Sequence, residues 1–418
     1  MSKLEINGGR RLCGKIDVQG SKNSVLPILA ATYLADGESV IHNCPHLSDV
    51  AAAVKILENL GCSVKREQNT LTVNSGGAYG SEIPQNLMRE MRSSIVFLGA
   101  ILAKSGRAQM CSPGGCEIGL RPIDLHLYAM KKLGAAVTES GGRLVCEAPD
   151  GLKGAKITFT FPSVGATENA VLAAVTARGT TTVINAAREP EIIDLCSYLN
   201  SCGAQIRGAG ESVITVNGVN KLTACEHRVI CDRIAAATYL VTGAVTGADI
   251  CLGSTEPSHL GVMLTLLEEA GCTVGTSGGE LRLEAPSRPA RIDKIITQPY
   301  PGFPTDAQAL FTTLASVADG TGVIVENIFE CRFKHVPELM RMGAKIRVEG
   351  RVAVIDGVSR LSGAEVTSPD LRGGSALVAA GLAADGVTVV NDIYHIDRGY
   401  EKFEENLCLL NADVVRKV

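Results

Sequence analysis

The chain has no CxxC pair, no HExxH, no clustered histidines, no long like-charge run and no uncharged stretch of membrane-spanning length. Each absence removes a class of function. Without grouped His and Cys ligands a zinc site is not expected, and no metal or cofactor is assigned. The glycine-rich "GCEIGLRP" lacks the GxGxxG spacing after a strand, so it is not a dinucleotide fingerprint. Lys and Arg number 40 against 44 Asp and Glu, a formal net charge of -4, which argues against nucleic acid held by bulk electrostatics. Any anionic ligand must be met by local arginines and lysines. The start "MSKLEINGGRRLCG" has no apolar signal core, and the reading is a cytoplasmic protein without membrane association. Fourteen cysteines in a large cytoplasmic chain read as reduced thiols rather than a disulfide framework.

What the chain has in excess is glycine, 45 residues of it, and much of it is periodic. Gly37, Gly106, Gly179, Gly247, Gly320 and Gly386 each close a helical pattern and open a β-branched run such as "GTTTVIN" or "GVTVVN". A second series, Gly61, Gly134, Gly203, Gly271 and Gly343 with Asn411 in sixth place, repeats the device. Self-similarity at a period of about 70 residues means repeated supersecondary units. Each copy reads β-α-β-α-β-β, with turns such as "VTESGGRLV" closing its last hairpin. Cys62 and Cys272 stand where other copies have alanine, so they read as small core fillers.

Only seven residues follow Asn411, yet together with the 37 leading to Gly37 they match the spacing of the other copies. The N-terminal strands are therefore expected to complete the sixth copy. That closure predicts two α/β domains of three copies each, residues 22–230 and residues 1–21 with 231–418, joined by a double-stranded hinge. An elongated solenoid is the alternative, and back-completion favours closed units. Opening and closing of a cleft is expected of such a hinge.

One helix of each copy begins at an equivalent place: "GSKNSVLP", "EMRSSIVF", "PSVGATEN", "CDRIAAAT", "FPTDAQAL" and "DLRGGSAL". Helix N-termini favour anions, so Lys22, Arg92 and Arg372 sit there against the local field. A bound anion is the better explanation of such placement. For Ser163, Asp232 and Asp306 ordinary N-capping remains an alternative. Arg121 and Arg398 lie in loops where other copies are neutral, and several cations brought together suit phosphate and carboxylate groups. Copy two has the longest interval between its glycines, and the surplus holds "CSPGGCEIGLRPID". Cys116 lies there among Gly114, Gly115 and Gly119, five residues before Arg121. A nearby arginine favours the thiolate, which makes Cys116 a candidate nucleophile or general acid.

These motifs, with "AAREPEI", "ENIFECRF", "HVPELMRMGA" and "YHIDRGYE", resemble over essentially the whole length the UDP-N-acetylglucosamine 1-carboxyvinyltransferase family of enolpyruvyl transferases. The resemblance implies two inside-out α/β domains with the site in the cleft between them. It implies transfer of the enolpyruvyl group of phosphoenolpyruvate to the 3-hydroxyl of UDP-N-acetylglucosamine in peptidoglycan synthesis, with no obligate protein partner. By the same resemblance Cys116, Asp306, Lys22 and Arg398 are catalytic. Lys22, Asn23, Arg121, Arg372 and Arg398 would hold phosphoenolpyruvate. Asn23, Asp306 and Ile328 would contact the amino sugar, with Asp306 the base toward its 3-hydroxyl. Arg121, Pro122, Ile123, Asp124 and Leu125 match the uridine-binding run, and Ser163, Val164 and Gly165 the diphosphate-binding helix start. Arg92 would contact the UDP sugar, and Glu189, Glu191, Asp232, Glu330 and Arg332 would line the cleft. Cys116 matches the family's fosfomycin-reactive cysteine.

The chain departs from many members at Phe161, Tyr300 and Val96, where they carry Lys, His and Trp. It contains no tryptophan at all. The shikimate-pathway enolpyruvyl transferase shares the six-copy architecture and is one rival reading. A catalytically silent UDP-sugar-binding paralogue is the other.

Overall fold

The computed structural model describes residues 2–91, 93–111 and 123–417. Arg92, Cys116, Arg121 and Pro122 lie outside the described residues. The described chain divides into two compact units, one of residues 20–111 and 123–230, the other of residues 2–19 and 231–417.

Six helices are buried on nearly every face: Lys22–Thr32, Phe97–Ser105, Val164–Ala174, Arg233–Val245, Gln308–Val317 and Leu371–Ala383. A helix apolar all round belongs in a core. In the second unit Arg233–Val245, Gln308–Val317 and Leu371–Ala383 pack on one another, and in the first Phe97–Ser105 packs on Val164–Ala174 and Lys22–Thr32. A second helix in each copy, such as Ser48–Asn59 or Pro190–Ser201, buries only part of its surface.

The sheets form around these helices. Lys156–Thr158 runs parallel to Thr180–Ile184, Lys294–Ile296 to Thr321–Val325, and Glu365–Thr367 to Val387–Asn391. Parallel neighbours need a crossover, and in each case a buried helix supplies it. The rest of each sheet is antiparallel, closed by a hairpin such as Ser63–Glu67 with Thr70–Asn74. Strands alternate between buried and open positions, so each sheet packs one face on its helices. This is the inside-out α/β arrangement: helices within, sheets around them. Copy two has three strands, with an isolated parallel bridge from Glu82 to Gln109 where the other copies have a fourth.

Completion by distant segments occurs three times. Glu226–Arg228 returns to pair with Glu38–His42, and Lys3–Asn7 fits between Val387–Asn391 and Asp413–Lys417. The expectation that both N-terminal strands complete the sixth copy needs correction. Only Lys3–Asn7 does so; Cys13–Asp17 runs parallel to Asp249–Gly253 and opens the fourth. The reason is topological. The helix Arg233–Val245 follows a chain arriving from the other unit, so its preceding strand is the one that led out.

All six members of each periodic series have positive φ, from 64° to 127° in the first and from 69° to 100° in the second. Left-handed backbone costs little only for glycine or asparagine, which explains the period and the substitution of Asn411. The second series follows the C-caps of its helices directly. In the first only Gly106 is a C-cap; Gly37, Gly179, Gly320 and Gly386 lie in the turn into the next strand, not at the helix end. No helix among the described residues is long and apolar enough to cross a membrane.

Candidate active site

In the second unit two predicted residues, Arg332 and Arg372, meet at the carboxylate of a third, Asp306. Asp306 lies in the short 3-10 turn Thr305–Ala307 that leads into Gln308–Val317. It does not cap that helix: the Ncap position belongs to Ala307, and Pro304 is the Ncap of the 3-10 turn. Its two oxygens are instead divided between guanidinium groups: Arg332 Nη2 donates to Oδ1 at 2.8 Å and Arg372 Nη2 to Oδ2 at 3.1 Å. Both arginine side chains are at most 5% exposed, while that of Asp306 is 31% exposed, so the carboxylate is the accessible member of the cluster. Burial works to raise the Asp306 pKa, but Arg372 and Arg332 outweigh it and hold the carboxyl well below the usual carboxylate range. Two cations on one anion leave positive charge in excess.

The cluster is braced from behind. Arg372 Nη1 donates to the Tyr400 hydroxyl at 3.2 Å, and that hydroxyl also meets Ser375 and Thr238 in the helix core. Arg332 Nε reaches the Thr305 carbonyl at 3.3 Å. Glu326, 1% exposed, accepts the Thr305 hydroxyl at 2.9 Å, the Thr297 hydroxyl at 3.0 Å, and the amides of Ile328 and Phe329 at 2.7 and 3.0 Å. One buried carboxylate thus fixes both the Asp306 turn and the half-buried Ile328. Arg398 ends the 3-10 segment Ile393–Arg398, which is held through Asp397 by two hydrogen bonds from Arg416. Asp232 is an N-cap, accepting the amides of Ile234 and Ala235 at 2.9 and 3.0 Å. Tyr300 lies under the Arg233 guanidinium, 5.6 Å from ring centroid to charge.

In the first unit Lys22 opens its helix behind the Ncap Ser21. Its Nζ sits 2.8 Å from Asp49 Oδ2, with 11% of the Lys22 side chain and 1% of that of Asp49 exposed. The anions that offset Lys22 and Arg372 include carboxylates of the protein itself, Asp49 and Asp306. Asn23 is half-buried beside Lys22, and Ser24 next to it hydrogen-bonds to Asp194.

Ser163 caps its helix through the Ala166 amide at 3.4 Å, and Val164 and Gly165 follow half-buried. Ile123, Asp124 and Leu125 lie at the start of Asp124–Lys132. His126 joins these two segments. Asn169 Nδ2 donates to His126 Nδ1 at 2.8 Å and to the Ile95 carbonyl at 2.9 Å, so the imidazole carries its proton on Nε2. Burial lowers the His126 pKa to about 4, and the ring is neutral. A Cβ on Gly165 would lie 2.9 Å from His126 Cε1, so the helix start and the ring are packed as closely as glycine permits. Phe161 is exposed before this helix, and Val96 is buried near Asn169's partner Ile95.

Beside Ser163, Glu168 is buried with Glu189 and Glu191 near it, and its pKa is pushed up to about 8, first by burial and then by those two charges. An acid whose folded pKa lies above its unfolded value stabilises the fold below the unfolded pKa and loses that contribution as pH rises through the folded one. The Glu168→Gln variant should therefore melt with the wild type at about pH 5 and above it at about pH 9. Thermal melts across that range test this, and a constant difference at all pH would refute it.

The sequence missed Asp49, Glu326 and His126. Each acts through a partner on another element, and although Glu326 opens "ENIFECRF", nothing local marks the role of any of the three. Among the described residues no group of three or more His, Cys, Asp or Glu side chains is placed to hold a metal ion.

Comparison with known proteins supplies the family. Residues 6–407 match the family model of EPSP synthase (3-phosphoshikimate 1-carboxyvinyltransferase). The chain is 50% identical to UDP-N-acetylglucosamine 1-carboxyvinyltransferase 2 of Caldanaerobacter subterraneus subsp. tengcongensis, and 46% identical to UDP-N-acetylglucosamine 1-carboxyvinyltransferase of Myxococcus xanthus, over 100% of both chains in each case. Among solved structures it matches the enolpyruvyl transferase NikO from Streptomyces tendae with a TM-score of 0.90 at 25% identity, covering 100% of this chain and 99% of that one. It matches EPSP synthase from Acinetobacter baumannii with a TM-score of 0.75 at 19% identity, over 100% of both chains, which is a likeness of fold. On full-length similarity at this level, the chain belongs to the enolpyruvyl transferase family, among the UDP-N-acetylglucosamine 1-carboxyvinyltransferases.

Proposed function

We propose that this protein transfers the enolpyruvyl group of phosphoenolpyruvate to the 3-hydroxyl of UDP-N-acetylglucosamine, releasing phosphate, as a cytoplasmic step of cell-wall peptidoglycan synthesis. The observation that carries the reading is Asp306, an accessible carboxylate with one buried guanidinium on each oxygen. Such a group is placed to take a proton where anionic substrates gather. While both arginines hold it, Asp306 is a weak base. When Arg372 turns to a substrate phosphate or carboxylate, one opposing charge leaves and basicity rises at the moment it is needed.

The reaction is addition and elimination at C2. A proton goes to C3, the 3-hydroxyl loses its proton to Asp306, and the new bond forms from the sugar oxygen to C2. C3 then gives up a proton and the bond from C2 to the phosphate oxygen breaks. Lys22, Asn23, Arg121, Arg372 and Arg398 hold phosphoenolpyruvate in this reading, and fixed cations stabilise the charge that develops there. Ile123, Asp124 and Leu125, with Arg121 and Pro122, take the uridine; Ser163, Val164 and Gly165 offer a helix start to the diphosphate, and Arg92 meets the UDP sugar. With Phe161 supplying no charge, the helix start carries that contact. Cys116 is the general acid, and fosfomycin should alkylate it. Mass spectrometry of the treated protein should find the adduct on the peptide holding Cys116, and an unmodified peptide would refute that role.

The family model's name favours a second reading, transfer to shikimate 3-phosphate. Phosphate release from phosphoenolpyruvate separates the two. UDP-N-acetylglucosamine should drive it and shikimate 3-phosphate should not; release with the latter alone overturns the proposal, and silence with both favours a sugar-binding paralogue.

A further inference from the structure

Two thiols in the first unit lie against each other and take no part in the chemistry above. The Sγ atoms of Cys202 and Cys225 are 3.3 Å apart. Cys202 is buried at the C-cap of Pro190–Ser201, while Cys225 is half-buried in the return segment between Leu222–Thr223 and Glu226–Arg228. The main chain holds them there. The Thr223 amide donates to the Cys202 carbonyl at 2.9 Å, Leu222 and Thr223 pair with Ala35 and Asp36, and His227 Nε2 lies 2.9 Å from Asp194 on the same helix as Cys202's neighbours. The Cys225 Sγ also lies 3.9 Å from the Tyr198 carbonyl, and the thiols of Cys44 and Cys408 likewise point at backbone carbonyls. A disulfide needs sulfur atoms about 2.05 Å apart, a closure of little more than an ångström from this contact.

We propose that Cys202 and Cys225 form a dithiol site that takes low-molecular-weight disulfides and is converted by them into an internal disulfide. Cys225, the more accessible sulfur, loses its proton and attacks one sulfur of the reagent. The reagent's S–S bond breaks, and its first half leaves as a thiol with that proton. The Cys202 sulfur then attacks the Cys225 sulfur of the mixed disulfide, and the second half leaves as a thiol with the Cys202 proton. Two cysteine thiols are oxidised by two electrons and one reagent disulfide is reduced to two thiols. Burial pushes the Cys202 thiol up to about 12 and raises that of Cys225, whose hydrogen bond from Cys202 works the other way. Exchange is therefore slow at neutral pH, faster in alkali, and starts at Cys225. The product ties the end of Pro190–Ser201 to the segment that completes the first sheet, across a 23-residue separation. A cross-link of that span restricts the unfolded chain and should raise the melting temperature by about 5 °C.

The test treats the full folded chain with oxidised glutathione at about pH 9, where more of the Cys225 thiol is ionised than at neutral pH. Remaining thiols are then alkylated before digestion without reductant. The expected result is a peptide pair linked through Cys202 and Cys225, a raised melting temperature, and reversal of both by dithiothreitol. The Cys202→Ala variant should keep a glutathione adduct on Cys225 and lose the gain in melting temperature. Glutathione confined to the exposed Cys13, Cys331 and Cys408, with both Cys202 and Cys225 recovered alkylated, would overturn the proposal. Linkage of either to a different cysteine would do the same. The peptide map is made on the unsubstituted chain, so it decides even if a variant misfolds.

Discussion

Asp306→Asn should lower turnover by about 10³-fold while UDP-N-acetylglucosamine affinity stays within about threefold of the wild type. The amide keeps the shape and still accepts a hydrogen bond, but it cannot take the sugar's hydroxyl proton. Its neutrality also frees Arg332 and Arg372 from a carboxylate that each contacts within 3.1 Å, so anionic substrates should bind no less well. Steady-state kinetics paired with calorimetric binding give the two numbers. Parallel loss of affinity and turnover would show that Asp306 organises the pocket rather than moving a proton.

If Lys22 holds phosphoenolpyruvate as proposed, Lys22→Met should lower kcat/KM for phosphoenolpyruvate by roughly 10²–10³-fold, because it would remove a fixed cation from the place where charge develops. It should also destabilise the protein, since Asp49, whose side chain is 1% exposed, loses the ammonium 2.8 Å away. Breaking one member of a buried ion pair costs about 3–5 kcal/mol, whereas removing both is often neutral. The double variant Lys22→Met, Asp49→Asn should therefore regain most of the lost melting temperature and none of the activity. Recovery of activity in the double variant would mean that Lys22 serves only to neutralise Asp49.

The repeat was legible because its determinant is local. Left-handed backbone at Gly37, Gly61 and their equivalents requires glycine or asparagine whatever surrounds it, so the period shows in sequence. Asp306 and Arg372 were legible as helix-start residues, and their roles came from the resemblance. That they bind each other was not, because 66 residues separate them and the pairing depends on how two buried helices pack. Lys22 and Arg372 read as cations awaiting a ligand; the fold gives each an internal carboxylate, which a ligand must compete with or borrow from. Asp49, Glu326 and His126 escaped notice for the same reason, as polar residues whose partners are assembled only by tertiary packing. The Cys202 and Cys225 contact also joins a helix end to a return strand, and no Cys spacing motif marks it.

Phosphoenolpyruvate labelled with oxygen-18 in the bridge from C2 to phosphorus tests the account most directly. Addition and elimination at C2 breaks the bond from carbon to oxygen, so the label should leave in the released phosphate, and only when UDP-N-acetylglucosamine is present. Label retained in pyruvate, with release independent of the sugar nucleotide, would mean cleavage at phosphorus and would contradict enolpyruvyl transfer.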